Sequence, residues 1–203
     1  MMKKHCKISP FCNQLDCETR KLICRHATFS FRMPKQIQTL QSEDQLEIVT
    51  EGVLLKYTLF EDGSQESFDI ISEGEIINKH LLLGDKPLKT PHLIESQNNF
   101  EFRTMPLTKV TICNLPIDLV RTLFIENHQF SKAILQTISQ HLLRFQINAL
   151  KIRTLNCNER VEFAYKVLKN LKVDINSLTQ EELALIVGVS RNTIVRALKK
   201  IND

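Results

Sequence analysis

Cysteine is the residue of this 203-residue sequence with the widest range of chemistry. Four of the six cysteines, Cys6, Cys12, Cys17 and Cys24, lie near the N-terminus, and Cys113 lies far from them. Thiolates ligate metals and undergo reversible oxidation. Residues 1–10 contain no apolar stretch typical of a secretory signal. We therefore expect a cytoplasmic chain whose thiols serve metal ligation, redox chemistry or burial rather than a disulfide framework.

A second feature is the segment LTQEELALIVGVSRNTIVRALKKI, residues 178–201. Thr179 followed three residues later by Glu182 forms a capping box, which predicts a helix that runs to about Val187. Gly188 then supplies a turn, and Ser190 caps a second helix over residues 191–200. A helix-turn-helix also needs a small residue and core-facing apolar residues at fixed positions, here Ala184, Val189 and Ile194. Such a unit places the N-terminal part of its second helix in the major groove of DNA.

The second helix carries side chains that match the edges of base pairs. Arginine matches guanine O6 and N7, and asparagine matches adenine N6 and N7, so we predict that Arg191, Asn192 and Arg196 read bases. Other polar side chains are better placed to meet phosphates, which fix register without reading sequence. These are Thr179, Ser190, Thr193 and Lys199. An ordinary helical hairpin does not need two arginines on one exposed stripe, so DNA binding is the favoured interpretation.

Two kinds of element must position these residues. Short β-rich runs over residues 46–50, 53–60 and 67–71 are separated by glycine turns, and further strands are expected over residues 94–104 and 110–115; together they predict a small antiparallel roll. From about residue 117 the apolar period becomes helical, and a break over residues 154–158 separates a second predicted helix over residues 159–171. A narrow seam with spacings of 3 and 4 favours a helix that pairs with a second copy of the chain: Leu135, Ile138, Leu142, Phe145, Ala149 and Ile152. Packing of this helix on the chain's own sheet is the alternative.

Composition and charge exclude several classes of function. The sequence has no apolar run near the ~20 residues that a bilayer-spanning helix needs, so we expect no membrane protein. Residues 41–100 hold twelve acidic against four basic residues, whereas residues 131–203 hold twelve basic against six acidic residues. The basic C-terminal part suits a polyanion. We find no phosphate-binding glycine loop, nucleophile elbow or paired carboxylates, and we expect no enzyme.

The glycine-turn roll, the long helix and the ending GVSRNTIVRALKKI resemble the CRP/FNR family of bacterial transcription regulators over residues 27–203. The resemblance implies an α+β fold: an antiparallel β-roll like the jelly roll of cyclic-nucleotide-binding domains, a long dimerisation helix and a helix-turn-helix. It divides the chain into a cysteine-rich arm (1–26), a β-roll sensor (27–116), a dimerisation helix region (117–155) and a DNA-binding domain (156–203). It further implies a homodimer on a two-fold symmetric operator of double-stranded DNA, with RNA polymerase as a further partner.

The sequence departs from the family pattern in three places. Asn192 stands where the family commonly has glutamate, so the usual half-site sequence does not carry over. The sequence stops at Asp203, so we expect the helix-turn-helix to lack a full wing. Gly74-Glu75 resembles the start of the family's cyclic-nucleotide pocket, but no arginine follows in IINKHLLLGDKPLKTPHLIES. Because arginine is the natural partner of a cyclic phosphate, we expect a turn at Gly74-Glu75 and no cyclic nucleotide.

The cysteines resemble those of the FNR branch of the family, in which N-terminal cysteines and one distant cysteine hold an oxygen-sensitive 4Fe-4S cluster. Cys113 reproduces the distant ligand with its Cys-x-x-Pro sequence, whereas the spacing of Cys12, Cys17 and Cys24 is more open than in the family. A related branch instead oxidises one N-terminal cysteine with the distant one, here Cys6 or Cys12 with Cys113. The resemblance thus implies Cys12, Cys17, Cys24 and Cys113 as ligands, with Cys6 as an alternate, or a reversible disulfide, or buried cysteines without a sensory role.

The sequence therefore predicts a transcription regulator of the CRP/FNR type that responds to redox state or oxygen. A rival is a thiol-ligated iron-sulfur or redox protein whose helix-turn-helix docks a protein rather than DNA. A small organic ligand bound in the roll is a third source of regulation. Cys157 has no partner in sequence, so we expect it to be buried, and we expect the scattered histidines, among them His128 and His141, to be structural.

Overall fold

The fold was analysed in a computed structural model that describes residues 9–39, 44–83 and 100–202. It is α+β, as predicted, with seven strands and six α-helices in these residues. The strands are β1 (Thr28–Arg32), β2 (Gln38–Thr39), β3 (Gln45–Glu51), β4 (Leu54–Phe60), β5 (Gln65–Ile71), β6 (Phe100–Pro106) and β7 (Val110–Pro116). The helices are α1 (Cys17–His26), α2 (Ile117–Glu126), α3 (His128–Thr154), α4 (Cys157–Asn170), α5 (Gln180–Val187) and α6 (Arg191–Asn202).

The strands form the expected antiparallel roll from two sheets. One sheet has the order β1-β7-β3 and the other β2-β6-β4-β5. Alternate residues of β7 face opposite ways, as the two-residue period of a strand requires: Val110 and Ile112 fill the space between the sheets, while Cys113 and Leu115 face the helices. The strand predicted over residues 94–104 is observed from Phe100, and its first part lies outside the described residues.

The N-terminal segment is part of the core. Phe11 is 1% exposed and packs edge-on against Phe130 of α3, with ring centroids 6.0 Å apart. The backbone N–H of Asp16 donates to Gln129 of α3 at 3.0 Å, and Asn127 donates to the Thr19 hydroxyl at 2.7 Å. Residues 9–26 therefore fasten the roll to α3.

The C-terminal helices pack directly on the four-stranded sheet. Val53, Leu55 and Tyr57 of the roll belong to the same buried cluster as Val161 of α4, Ala184 and Val187 of α5, and Ile194 of α6. On the rim of this contact Lys35 lies 3.7 Å from Glu182. The helix-turn-helix and the roll thus share one apolar interface. None of the helices in residues 9–39, 44–83 and 100–202 is long and apolar enough to span a bilayer.

The boundaries of the helices follow their capping residues, with two differences from expectation. α4 begins at Cys157 rather than at residue 159, because Asn156 and Glu159 form a reciprocal capping box. The prediction that Cys157 is buried is wrong: it is exposed at the first position of α4. The helical region that begins at residue 117 is two helices, α2 and α3, since the Asn127 side chain caps α3 by accepting from the Phe130 N–H.

Candidate nucleic-acid interface and associated sites

The helix-turn-helix forms as the sequence predicted. Thr179 and Glu182 exchange side-chain to backbone hydrogen bonds of 3.1 and 2.7 Å at the start of α5. Gly188 has a φ of +69°, a left-handed conformation that only glycine adopts without strain, and its N–H donates to the carbonyl of Ala184. Ser190 accepts from the Thr193 N–H at 3.3 Å and so caps α6. These local contacts hold α6 at a fixed angle to α5.

α6 has one buried face and one basic, exposed face. Ile194 and Ala197 are 0% and 3% exposed and pack on α4 and α5. The opposite face exposes the predicted base readers, Arg191, Asn192 and Arg196, together with Lys199. Because these side chains stand on a helix whose other face is fixed, the structure brings the four residues to one surface that a DNA groove could accept.

Arg191 is held by two residues that the sequence reasoning did not select. Its Nε lies 2.9 Å from Glu181 Oε1 and 3.2 Å from Gln180 Oε1, both at the start of α5. An exposed ion pair of this kind contributes at most about 1 kcal/mol. The two contacts hold the Arg191 guanidinium next to the start of α5. The sequence could have indicated this contact, because Glu181 lies two residues after the Thr179 cap of α5, on the helix that precedes Arg191.

The predicted phosphate contacts have capping roles as well. The Thr179 hydroxyl accepts from the N–H of Glu182, and the Ser190 and Thr193 hydroxyls lie 2.9 Å apart. A hydroxyl that accepts from a backbone N–H can still donate to a phosphate. Lys199 is exposed one turn beyond Arg196. The geometry is compatible with phosphate contacts at all four positions.

The six apolar residues of α3 that were predicted to pair with a second copy do not share one environment. Leu135 and Leu142 are 55% and 52% exposed, whereas Ile138 packs against the core cluster around Phe130. The lower seam residues, Phe145, Ala149 and Ile152, line a cavity beneath the helix. Three apolar residues outside the predicted seam add to the exposed face of the helix: Leu143, Ile147 and Leu150.

The cysteines are separated in the described residues. Cys12 and Cys113 are buried in the same apolar cluster, Cys24 is half-buried, and Cys17 is exposed. In residues 9–39, 44–83 and 100–202 no group of three or more histidine, cysteine, aspartate or glutamate residues is placed to hold a metal ion. Cys6 lies outside these residues. The described thiols therefore do not fit a 4Fe-4S cluster, which needs four ligands around one centre.

A buried charged cluster joins the roll to α3 at Gly74-Glu75. The expected turn is present, with Gly74 at a φ of +88°, and its carboxylate does more than close the turn. Glu75 accepts hydrogen bonds from the Ser72 N–H at 2.7 Å and from Arg144 at 2.9 Å, and it lies 3.1 Å from His141 Nδ1. His141 Nε2 lies 2.6 Å from Asp69 of β5. Both ring nitrogens of His141 thus face carboxylates.

This arrangement favours the charged form of the histidine. Burial lowers the pKa of His141, but the hydrogen bonds to Asp69 and Glu75 outweigh it, so that the pKa is raised. Burial opposes ionisation of Glu75 as well, yet hydrogen bonding from His141 and the charge of Arg144 hold the pKa of Glu75 below its usual range. His141 was expected from the sequence to be merely structural. His141 and Arg144 are three residues apart and therefore lie on the same face of α3, the face that contacts the roll. This spacing could have indicated a shared partner.

Solved structures similar to this chain include proteins described as transcriptional regulators of the CRP/FNR family. A protein assigned to that family from Eubacterium rectale is 15% identical over 95% of this chain and 86% of its own, with a TM-score of 0.67. The c-di-GMP-responsive global regulator CLP of Xanthomonas campestris is 19% identical over 92% of both chains, with a TM-score of 0.65. FixK2 of Bradyrhizobium japonicum is 13% identical over 87% and 84%, with a TM-score of 0.62. No family model and no curated protein matches the sequence.

Proposed function

We propose that this chain, which has the fold of CRP/FNR-family transcriptional regulators, is a sequence-specific DNA-binding transcription regulator and not an enzyme. The observation that carries the proposal is the exposed face of α6, where Arg191, Asn192, Arg196 and Lys199 stand together on a helix fixed by its own caps and by buried Ile194. Arginine and asparagine supply bidentate contacts to bases, and lysine supplies contacts to phosphates.

The test separates base reading from charge. Duplexes that bind the chain are selected from a random library, and affinities are measured by fluorescence anisotropy at several salt concentrations. Arg191→Ala and Arg196→Ala should each reduce discrimination against a mismatched base by about 1–3 kcal/mol. Lys199→Ala should weaken binding to all sequences and lower the salt slope by about 1. Arg25→Ala, at an exposed position of α1, is the matched control and should change neither.

A module that docks a protein predicts a different result. It would show no selected sequence and no salt-dependent affinity for the library, since both arise from base and phosphate contacts. That outcome would favour the rival interpretation of the helix-turn-helix. It would also refute the assigned roles of Arg191 and Arg196.

We propose that two copies pair through the exposed apolar face of α3. The face that carries Leu135, Leu142, Leu143, Ile147 and Leu150 points away from the roll and from the cavity beneath the helix. Burial of such a stripe against its own copy is the usual way to form a helical dimer. Two α6 helices related by a two-fold axis would then meet half-sites on a symmetric operator, about 34–36 Å apart.

Sedimentation velocity tests the dimer. Leu142→Glu should shift the chain to monomers and abolish cooperative binding to a two-half-site duplex. Ile125→Glu is the matched control, because Ile125 is 83% exposed and belongs to α2 rather than to the stripe of α3. Dimers that persist in Leu142→Glu would refute this interface.

The sequence left open a metal cluster, a reversible disulfide or cysteines without a sensory role, and of these we propose the disulfide. Cys12 and Cys113 are both buried in one apolar cluster, and we propose a reversible disulfide between them. Oxidation by diamide should then remove two titratable thiols per chain and change the affinity for the selected duplex, and Cys113→Ser should abolish both effects. Cys157→Ser, at an exposed cysteine, is the control. Iron and sulfide in anaerobically purified protein would instead support the cluster.

A further inference from the structure

An ion pair between two exposed side chains crosses the turn that joins α5 to α6. Arg191 is the first residue of α6, and its Nε lies 2.9 Å from Oε1 of Glu181, the second residue of α5. The side chains of Arg191 and Glu181 are 61% and 63% exposed. The pair therefore lies on the surface of the helix-turn-helix that is open to a ligand.

The contacts of Arg191 engage one nitrogen of its guanidinium. Nε donates to the side-chain oxygen of Gln180 at 3.2 Å, and the carboxylate of Glu181 lies beside the same nitrogen. Arginine has five N–H donors, of which one is on Nε and four are on the two terminal nitrogens. Engagement of Nε thus leaves the terminal nitrogens for a base, and these form the fork that matches guanine O6 and N7.

The start of α5 is fixed without help from Arg191. The Thr179 hydroxyl and the Glu182 carboxylate form hydrogen bonds of 3.1 and 2.7 Å with backbone N–H groups, and Leu183 beside them is 3% exposed. Glu182 also lies 3.7 Å from Lys35 of the roll. Glu182 is thus engaged by the cap and by the roll, whereas Glu181 is directed towards Arg191.

The negative charge of Glu181 opposes the affinity for DNA. A carboxylate on a surface that meets DNA repels the phosphates of any sequence. An arginine without a carboxylate partner can bind phosphates as well as guanine, and phosphate contacts carry no sequence information. Glu181 counteracts this second use of Arg191, because it offsets part of the positive charge and restricts the side chain. Specificity is a difference between affinities, so a group that weakens the wrong complexes raises it.

We propose that Glu181 is a specificity-determining residue, which positions Arg191 for guanine and makes the same arginine a poor ligand for phosphates. Restriction of a side chain lowers the entropy that binding must remove, and only the complex that uses the restricted geometry benefits. The inference rests on the proposed function and deepens it, because it assigns to Glu181 a role in discrimination rather than in affinity.

Glu181→Gln tests this role, since it removes the charge and keeps the shape of the side chain. Affinities of the full chain for the selected duplex and for an unrelated duplex are measured by fluorescence anisotropy. The variant should bind the unrelated duplex more tightly, and its gain on the selected duplex should be smaller because the loss of positioning offsets it there. The ratio of the two affinities should therefore fall by about two- to tenfold. The salt slope on the unrelated duplex should become steeper by up to about 1, since Arg191 then gains a phosphate.

The loss of discrimination should be confined to one base pair. Arg191→Ala identifies the base pair that Arg191 reads, and Glu181→Gln should lower discrimination at that pair but not at the pair identified by Arg196→Ala. In the Arg191→Ala background Glu181→Gln should have no further effect on discrimination, because a positioning residue acts only through the group that it positions. A carboxylate that itself contacts a base, such as cytosine N4, would keep its effect in this background, and that result would overturn the proposal.

Two further measurements separate positioning from a general effect of charge or stability. Glu126→Gln removes the same charge at an exposed position of α2 and should leave the ratio of affinities unchanged. In the free protein, the NMR order parameter of the Arg191 Nε–H group should be higher in the wild type than in Glu181→Gln. The thermal transitions of these two proteins should differ by no more than the loss of an exposed ion pair explains.

The outcomes distinguish this inference from the proposed function. An unchanged ratio of affinities in Glu181→Gln, or equal order parameters in the two proteins, would overturn the role of Glu181 while base reading by Arg191 still stands. A wild type that selects no sequence would refute the proposed function and, with it, the role of Glu181 in specificity.

Discussion

Replacement of His141 by leucine removes the central group of the buried charged cluster and should destabilise the fold by about 3 kcal/mol. The imidazole lies 2.6 Å from Asp69 and 3.1 Å from Glu75. The two carboxylate side chains are only 9% and 12% exposed. Without the imidazole they remain close to each other in a largely dry site, and buried charges without partners are costly.

The magnitude follows from what remains after the substitution. Breaking a buried ion pair by removing one partner costs about 3–5 kcal/mol. Arg144 still contacts Glu75 at 2.9 Å but lies 3.9 Å from Asp69, so Asp69 carries most of the loss and the lower end of the range applies. For a chain of this size the loss corresponds to a fall in Tm of about 6–12 °C. Asp69→Asn in the His141→Leu background should recover part of it.

Urea unfolding of both proteins between pH 6.5 and 9 provides the assay. Because the pKa of His141 is raised in the folded state, its stabilisation is fully present below the ordinary histidine pKa of about 6.5 and disappears as pH rises through the folded value. The difference between wild type and variant should therefore shrink towards pH 9. His128→Leu, at an exposed histidine, is the control. A loss below about 1 kcal/mol, or one that does not change with pH, would refute the reasoning.

Three further substitutions test other parts of the structure. Gly188→Ala should cost about 1–2 kcal/mol in urea unfolding, because φ is +69° there; an unchanged midpoint would contradict the observed turn. Phe11→Ala should cost about 3–5 kcal/mol by the same assay, since Phe11 is 1% exposed, and a loss typical of surface residues would show that residues 9–26 are not core. Burial lowers the pKa of Lys79 to about 8, so its charge opposes folding below pH 8 and less so as pH rises towards its ordinary value. Lys79→Met should therefore exceed the wild type in stability at pH 7, by a margin that narrows above pH 8.

Local signals were sufficient to predict the helix-turn-helix. The reciprocal hydrogen bonds of Thr179 and Glu182 and the left-handed Gly188 involve residues at most four apart, so the sequence contains both partners of each contact. The same logic was available for α4, where Asn156 and Glu159 form the second capping box. The start of α4 was missed because its apolar period begins only after the box.

Contacts between distant residues were not predictable in this way. The bond between His141 and Asp69 joins residues 72 positions apart, and nothing in the local pattern of α3 identifies a partner on β5. The apolar residues of α3 that were predicted to form a dimer seam also depend on contacts with distant residues. Their period correctly predicts a helix with an apolar stripe, but the packing of α4 and β5 determines that Phe145 and Ile152 border a cavity and that Leu142 does not. Spacing likewise could not show that Cys17 lies on the exposed side of α1.

The buried charged cluster, the proposed dimer face and the cavity beneath the helix are connected because residues of all three lie on α3. α3 has 27 residues and is about 40 Å long. Its residues 141 and 144 are held by the roll, and the cavity begins at the next residue, Phe145. A shift of α3 by even part of a turn would break the short contact between His141 and Asp69 and reshape the cavity at the same time. Any signal that moves the helix must therefore work against the charged cluster. The pH dependence of that cluster should accordingly appear in the affinity for DNA, and the same dependence should be lost in His141→Leu.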